Sequence, residues 1–103
     1  MKYIILEDKK YEVLENYKDA FNYEELKEKM TDYFEPYDYI VGDYAYGKLR
    51  LKGFYKRENK KCNEINNIEN KNDYLKDFCA YDCRYFLIEK INNENLKNND
   101  TQI

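Results

Sequence analysis

The chain has no histidine, no tryptophan, one proline and three glycines among its 103 residues. Lacking histidine, it is without the side chain that most often works as a general base near neutral pH, and without the commonest zinc ligand. No apolar run approaches the roughly 20 residues needed to span a bilayer, which excludes a transmembrane helix. The opening "MKYIILEDKK" holds only a short apolar run before an acidic pair, too short for a signal-peptide core and without a small-residue cleavage site. Three cysteines, an odd number, fit a reducing compartment better than a disulfide framework. A cytoplasmic location is therefore expected.

A chain of this length fits one small domain, and roughly 60–70% of its unfolded surface would be buried on folding, enough for a core without metal or disulfide. Residues 1–91 read as that single domain, and residues 92–103, with almost nothing to bury, as a disordered tail. Asn, Lys, Ile and Tyr all have AT-rich codons, so 13 tyrosines do not by themselves mark a binding surface. Charge is more informative once divided along the chain. The net charge is −3, yet residues 48–61 hold 7 basic residues and 1 acidic residue. Such asymmetry suits a polyanion or an acidic partner, and it is also what a solvated basic loop carries.

"KYIIL" and "YEVLE", separated by "EDKK", predict an N-terminal hairpin. In "FNYEELKEKMTDYFEP", Asn22 can cap a helix, Glu25 completes a capping box, and Phe21 and Leu26 occupy the staple positions. Tyr23, Leu26, Met30 and Tyr33 recur at helical spacing and Pro36 marks a stop, so about three turns are expected. "YDYIVGDY" and "KLRLKGFY" read as a second hairpin turning at "AYG", with Gly47 free to adopt a positive φ. On its second strand Leu49, Leu51 and Tyr55 point one way, and Lys48, Arg50, Lys52 and Phe54 the other. Gly42 and Gly53 fall inside strand patterns, where glycine signals a bulge or a close backbone approach. After a long polar connection from Lys56 to Lys71, "NDYLKDFCAY" predicts a short helix capped at Asn72 and "RYFLIEKI" a last strand. The order ββαββαβ predicts an α+β fold: a small, mainly antiparallel sheet with two helices packed on one face.

The stretch "YDYIVGDYAYGKLRLKGFY" resembles the "YDYIVGDWGYGQLRLKGFY" core of the YutD-like family, small cytoplasmic proteins of low-GC Gram-positive bacteria and their relatives. "FCAYDCRYFLIEK" is similar to that family's second element, two cysteines flanking three residues before an aromatic strand. The resemblance runs from about Tyr11 to Lys90. Tyr44 and Ala45 depart from Trp and Gly in the family pattern, and Lys48 from Gln. It implies a cytoplasmic single domain and supplies no catalytic residue to carry over.

The candidate chemistry centres on the second hairpin. Lys48, Arg50 and Lys52 beside Phe54, extended by Lys56 and Arg57, could neutralise phosphates and stack bases, which points to RNA or another polyanion. An ordinary hairpin with its charges in water is the bland reading of the same row. Tyr37, Tyr39, Tyr44 and Tyr46 could instead anchor a protein–protein interface, since tyrosine is enriched there. Cys79 and Cys83, four apart, with Cys62 as a third sulfur, could support a thiol- or metal-dependent regulator, but packing as small hydrophobes is the simpler expectation. Asp38 and Asp43 differ by five and face opposite sides of a regular strand, so at least one is expected to salt-bridge to the basic strand. No phosphate-binding loop, nucleophile elbow or full metal set is present, and no catalytic residue, cofactor, metal or small-molecule substrate is assigned. The expected function is a non-catalytic binding module that uses the basic aromatic hairpin to contact RNA or another polyanion, with a tyrosine-rich protein adaptor or a thiol- or metal-dependent regulator as the alternatives; the expected partners are RNA or an acidic protein.

Overall fold

The computed structural model describes residues 2–6, 8–45, 47–78 and 83–91. Its elements follow the expected order: β1 (Lys2–Leu6), β2 (Lys9–Tyr17), α1 (Tyr23–Lys29), β3 (Tyr39–Ala45), β4 (Lys48–Phe54), α2 (Lys71–Phe78) and β5 (Tyr85–Lys90). They form one antiparallel sheet in the order β1-β2-β5-β3-β4. The α+β class thus stands. Residues 92–103, expected as a disordered tail, lie outside the described residues.

The expectation that both helices share one face is corrected, and β5 shows why. Phe86, Leu87 and Ile88 follow one another without a polar residue and are all buried. Side chains alternate along a strand, so such a run demands cover on both faces. Phe86 and Ile88 pack with Ile40, Leu49 and Tyr11 beneath Leu26 of α1. Leu87 packs with Val41 and Phe54 beneath Tyr74 and Leu75 of α2. One helix therefore covers each side, and the row Lys48, Arg50 and Lys52 lies on the α2 side.

Local chemistry sets the element ends. The Asn22 side chain accepts a hydrogen bond from the Glu25 backbone N–H at 3.0 Å, as its capping position requires. The helix is shorter than expected, ending at Lys29, because Met30 turns extended and the Thr31 hydroxyl accepts from the Tyr33 N–H. A single 3₁₀ turn, Asp32–Phe34, fills the space before Pro36. The first turn is tighter than "EDKK" suggested, since Lys9 and Lys10 belong to β2 and Asp8 takes a φ of 64°. Gly47 turns the second hairpin at a φ of 76°.

The polar connection after β4 is built by asparagines. The Asn63 side chain accepts from the Ile65 and Asn66 N–H groups, and Asn66 accepts from the Asn63 N–H. Asn67 caps a 3₁₀ turn, Ile68–Asn70, that runs directly into α2. Asn72 is consequently inside the helix, not its cap. Lys71, with a side chain only 11% exposed, pins the start of α2 to the sheet by bonding both Glu15 carboxylate oxygens, at 2.9 and 2.7 Å. The Tyr85 hydroxyl donates to the same carboxylate at 2.7 Å. Burial pushes the Glu15 carboxyl up, but the bonds from Lys71 and Tyr85 and the Lys71 charge outweigh it, and the net direction is down.

Neither strand glycine is a bulge. A Cβ on Gly42 would lie 2.2 Å from the Phe86 ring, and one on Gly53 would lie 2.3 Å from the Tyr37 ring. The bulge falls instead in β2, between Val13 and Glu15. Overpacking of a core costs about 1–3 kcal/mol, and Gly42→Ala is expected at the upper end because Phe86 is fully buried with nowhere to move. Gly47→Ala meets no atom within 4 Å and should cost only about 1 kcal/mol of backbone strain. Urea unfolding measures both, and combining Gly42→Ala with Phe86→Leu should recover part of the first loss.

Candidate binding edge

β4 ends the sheet, and its backbone polarity follows from one isolated bridge. The Tyr55 N–H donates to the Asn66 carbonyl at 2.7 Å and the Ile68 N–H donates to the Tyr55 carbonyl at 3.0 Å, so Tyr55 points its polar groups away from β3. The β3–β4 register runs without a shift from Tyr39↔Phe54 to Ala45↔Lys48. Strand alternation then aims the N–H and C=O of Gly53, Leu51 and Leu49 outward, and those of Phe54, Lys52, Arg50 and Lys48 toward β3. Consistently, the Phe54 carbonyl accepts from the Asp38 N–H at 3.0 Å.

The side chains of that second set lie on the α2 face. Lys48 is exposed at the hairpin end. Arg50 donates through Nε to Asp43 Oδ1 at 2.9 Å. Asp43 is 1% exposed, and its Oδ2 has no hydrogen-bond partner among the described residues. Arg50 is thus the counter-charge of a buried carboxylate as well as a surface cation, with 41% of its side chain exposed. Removing it would leave Asp43 buried and unpaired, the situation that makes broken buried pairs strongly destabilising. Lys52 is half-buried, its ammonium 5.6 Å from the Phe54 ring centre.

Phe54 takes no part in any stacking platform. It is 0% exposed, with Tyr74 edge-on against its ring at 5.7 Å. The alternation that grouped it with the lysines was right, but the helix that covers this end of the strand was not legible. Lys56 sits 3.6 Å from the Glu89 carboxylate, and its N–H donates to Asp38 Oδ2 at 2.8 Å. Asp38 also accepts from the Asn59 amide at 3.1 Å, so it braces the turn after β4, while Asp43 is the aspartate that pairs with the basic strand. Arg57, Lys60 and Lys61 are exposed on that turn.

The proposed tyrosine patch is dispersed. The Tyr37 ring lies against Gly53 and stacks on Tyr55 at 4.7 Å. Tyr39 packs into the α2-side core. Tyr44, on the α1 side, donates to Glu25 at 3.0 Å and lies under the Arg84 guanidinium at 4.1 Å. Tyr46 lies outside the described residues. Cys62 is a free thiol, and Cys83 is half-buried and disulfide-bonded, its partner outside the described residues, as is Cys79. Cys83 is therefore not the buried free thiol that packing predicted. Among the described residues no three His, Cys, Asp or Glu side chains converge as a metal site. No helix among them is long and apolar enough to cross a membrane.

One feature escaped the sequence reading. A groove of about 560 Å³ opens between Lys52 of β4, Tyr74 and Asp73 of α2, and Glu64, Ile65 and Asn70 of the connection. Ile65, 77% exposed, stands at its lip. Residues this far apart in sequence carry no shared pattern, so only the fold reveals the groove.

Residues 5–89 match the family described as "Putative antitoxin YutD-like". A Bacillus subtilis (strain 168) protein named "Putative antitoxin YutD" is 39% identical over 88 residues, covering 85% of this chain and 97% of that protein. The solution NMR structure of protein yutD from B. subtilis superposes with a TM-score of 0.74 at 37% identity, covering 88% of this chain and 83% of that one.

The tyrosine environments give a pH test. The hydrogen bond with Tyr33, followed by burial, pushes Tyr37 up to about 12. Burial first, then Glu89, takes Tyr39 to about 12, and burial first, then Glu15, does the same to Tyr85. Because these folded values lie above the ordinary value of 10.0, the unfolded chain loses its phenolic protons first. Stability is expected to be whole below pH 10 and to fall as the pH rises toward 12. Ultraviolet titration at the phenolate band should show an early group of exposed tyrosines and a late group, and Tyr39→Phe should remove one member of the late group.

Proposed function

The chain belongs to the YutD-like family, and from that premise we propose that it is a non-catalytic binding protein whose functional surface is the basic margin of the sheet at β4. The proposed partner is an acidic protein surface. The observation that carries this reading is the row Lys48, Arg50 and Lys52 on an edge strand, continued by Arg57, Lys60 and Lys61, in a chain that is otherwise acidic. A local field of this kind draws in and orients an oppositely charged surface.

Two considerations favour a protein over RNA. Sequence-tolerant binding of single strands uses aromatic faces as well as cations, and Phe54, the aromatic that β4 itself brings to this face, is buried under Tyr74. The relative's name, putative antitoxin, also suits a protein that acts by engaging another macromolecule and not by chemistry of its own.

The test compares binding of poly-L-glutamate and of a mixed single-stranded RNA pool by fluorescence anisotropy at low and physiological salt. Poly-L-glutamate is expected to bind and to weaken as salt screens the contact. Joint Lys48→Glu and Lys52→Glu replacement should weaken it at least tenfold, with urea unfolding run alongside to check that the variant is folded. RNA bound more tightly than poly-L-glutamate would return the polyanion reading, and binding of neither would remove the basic margin from consideration.

A further inference from the structure

Resting on the reading of β4 as the binding margin, we infer that the partner is held by strand addition. An extended acidic segment of the partner pairs with the outward backbone of Leu49, Leu51 and Gly53 and places an apolar side chain in the groove beside Lys52. Three observations converge on this edge.

The edge already pairs with another segment, through one isolated bridge. The chain's own residues Asn66 to Ile68 take both backbone bonds of Tyr55 in parallel pairing. The next residues along β4 whose N–H and C=O point away from β3 are Gly53, Leu51 and Leu49; Leu51 is partly exposed, and Gly53 and Leu49 are buried, so an added strand seats first at Leu51. The opposite margin is differently arranged. On β1, the Ile91 N–H donates to the Lys10 carbonyl, so Lys10 points toward β5 and its partner Ile5 points outward. That outward Ile5 carbonyl accepts from the Tyr23 hydroxyl at 2.9 Å, so α1 closes part of the β1 edge.

Charge sets what can pair. Lysines on an edge strand discourage association with another copy, because like charges would then lie across from one another. The same Lys48, Arg50 and Lys52 row favours a strand whose residues on that face are Glu or Asp. Thus the feature that repels a second copy of this chain selects an acidic partner.

The groove supplies specificity. Added strands gain affinity from backbone bonds and specificity from pockets that take alternate side chains. The groove reaches Lys52 and stands against Tyr74 and Ile65, with the Glu64 and Asp73 carboxylates around it. Those carboxylates disfavour an acid at this one position and leave the apolar wall for an aromatic or aliphatic side chain. The motif expected is alternating acidic residues followed, two positions on, by a large apolar one.

The probe is a capped six-residue peptide with glutamate at positions 1 and 3, phenylalanine at position 5 and valine or threonine between, titrated into the ¹⁵N-labelled chain. The largest amide shifts are expected at Leu49, Leu51 and Gly53, and a version with lysine in place of glutamate should not bind. Leu51→Pro removes an outward N–H without breaking the β3–β4 ladder, and Leu51→Ala loses the same packing but keeps that N–H. Leu51→Pro is expected to weaken the peptide at least tenfold relative to Leu51→Ala. Should Leu51→Pro fail to fold, the wild-type shift map decides. Equal binding by the two variants, or shifts centred elsewhere, overturns strand addition. If that binding is still lost on reversing Lys48 and Lys52, the charged margin stands and only the pairing falls; if the peptide does not bind while RNA does, both readings fall.

Discussion

The last strand completes what neither hairpin can finish alone. β5 enters between β2 and β3, antiparallel to both, and joins two hairpins that are not neighbours in the sheet. Its apolar run feeds both cores at once, Phe86 and Ile88 toward α1 and Leu87 toward α2. The close approach of Phe86 to Gly42 fixes where β3 lies against it. This insertion occupies the inner side of the β3–β4 hairpin and leaves β4 at the margin, so the exposure of the basic strand follows from the placement of a segment more than 30 residues later in the chain.

Burial and charge then divide the α2 face of β4 along its length. Phe54 is sealed by Tyr74, Lys52 lies half-covered at the groove, Arg50 reaches from the buried Asp43 to solvent, and Lys48 is open. A gradient from apolar to fully solvated within seven residues gives one edge both an anchoring end and a steering end. Fixed cations at a sheet margin also lose little conformational freedom on meeting a partner when one of them, Arg50, is already held in place by its carboxylate.

Much of this was legible from residue order. The Asn22 cap, the turn at Gly47, the alternation of β4 and the family resemblance all depend on neighbours in sequence, and each holds. The length of α1 was misjudged because Thr31 competes for a backbone N–H that continued helix would have used. The cap lies at Asn67, five residues before Asn72, because both offer the same capping side chain and only the Tyr55 bridge decides between them; α2 itself begins at Lys71. The two-sided cover was missed although its sign was visible: "YFLI" without a polar residue is a strand wanted on both faces. The groove, the Lys71–Glu15 latch and the burial of Phe54 rest on contacts between distant segments, for which a single sequence has no local pattern.

The central claim, that β4 is an open edge whose outward backbone is available to a partner, is tested most directly by amide hydrogen exchange of the free chain. Leu49, Leu51 and Gly53 are expected to exchange rapidly, alternating with slow Arg50, Lys52 and Phe54, and protection should resume at Tyr55, whose N–H is bonded to Asn66. Uniform protection along β4 would mean that the edge is already covered, and would contradict the account.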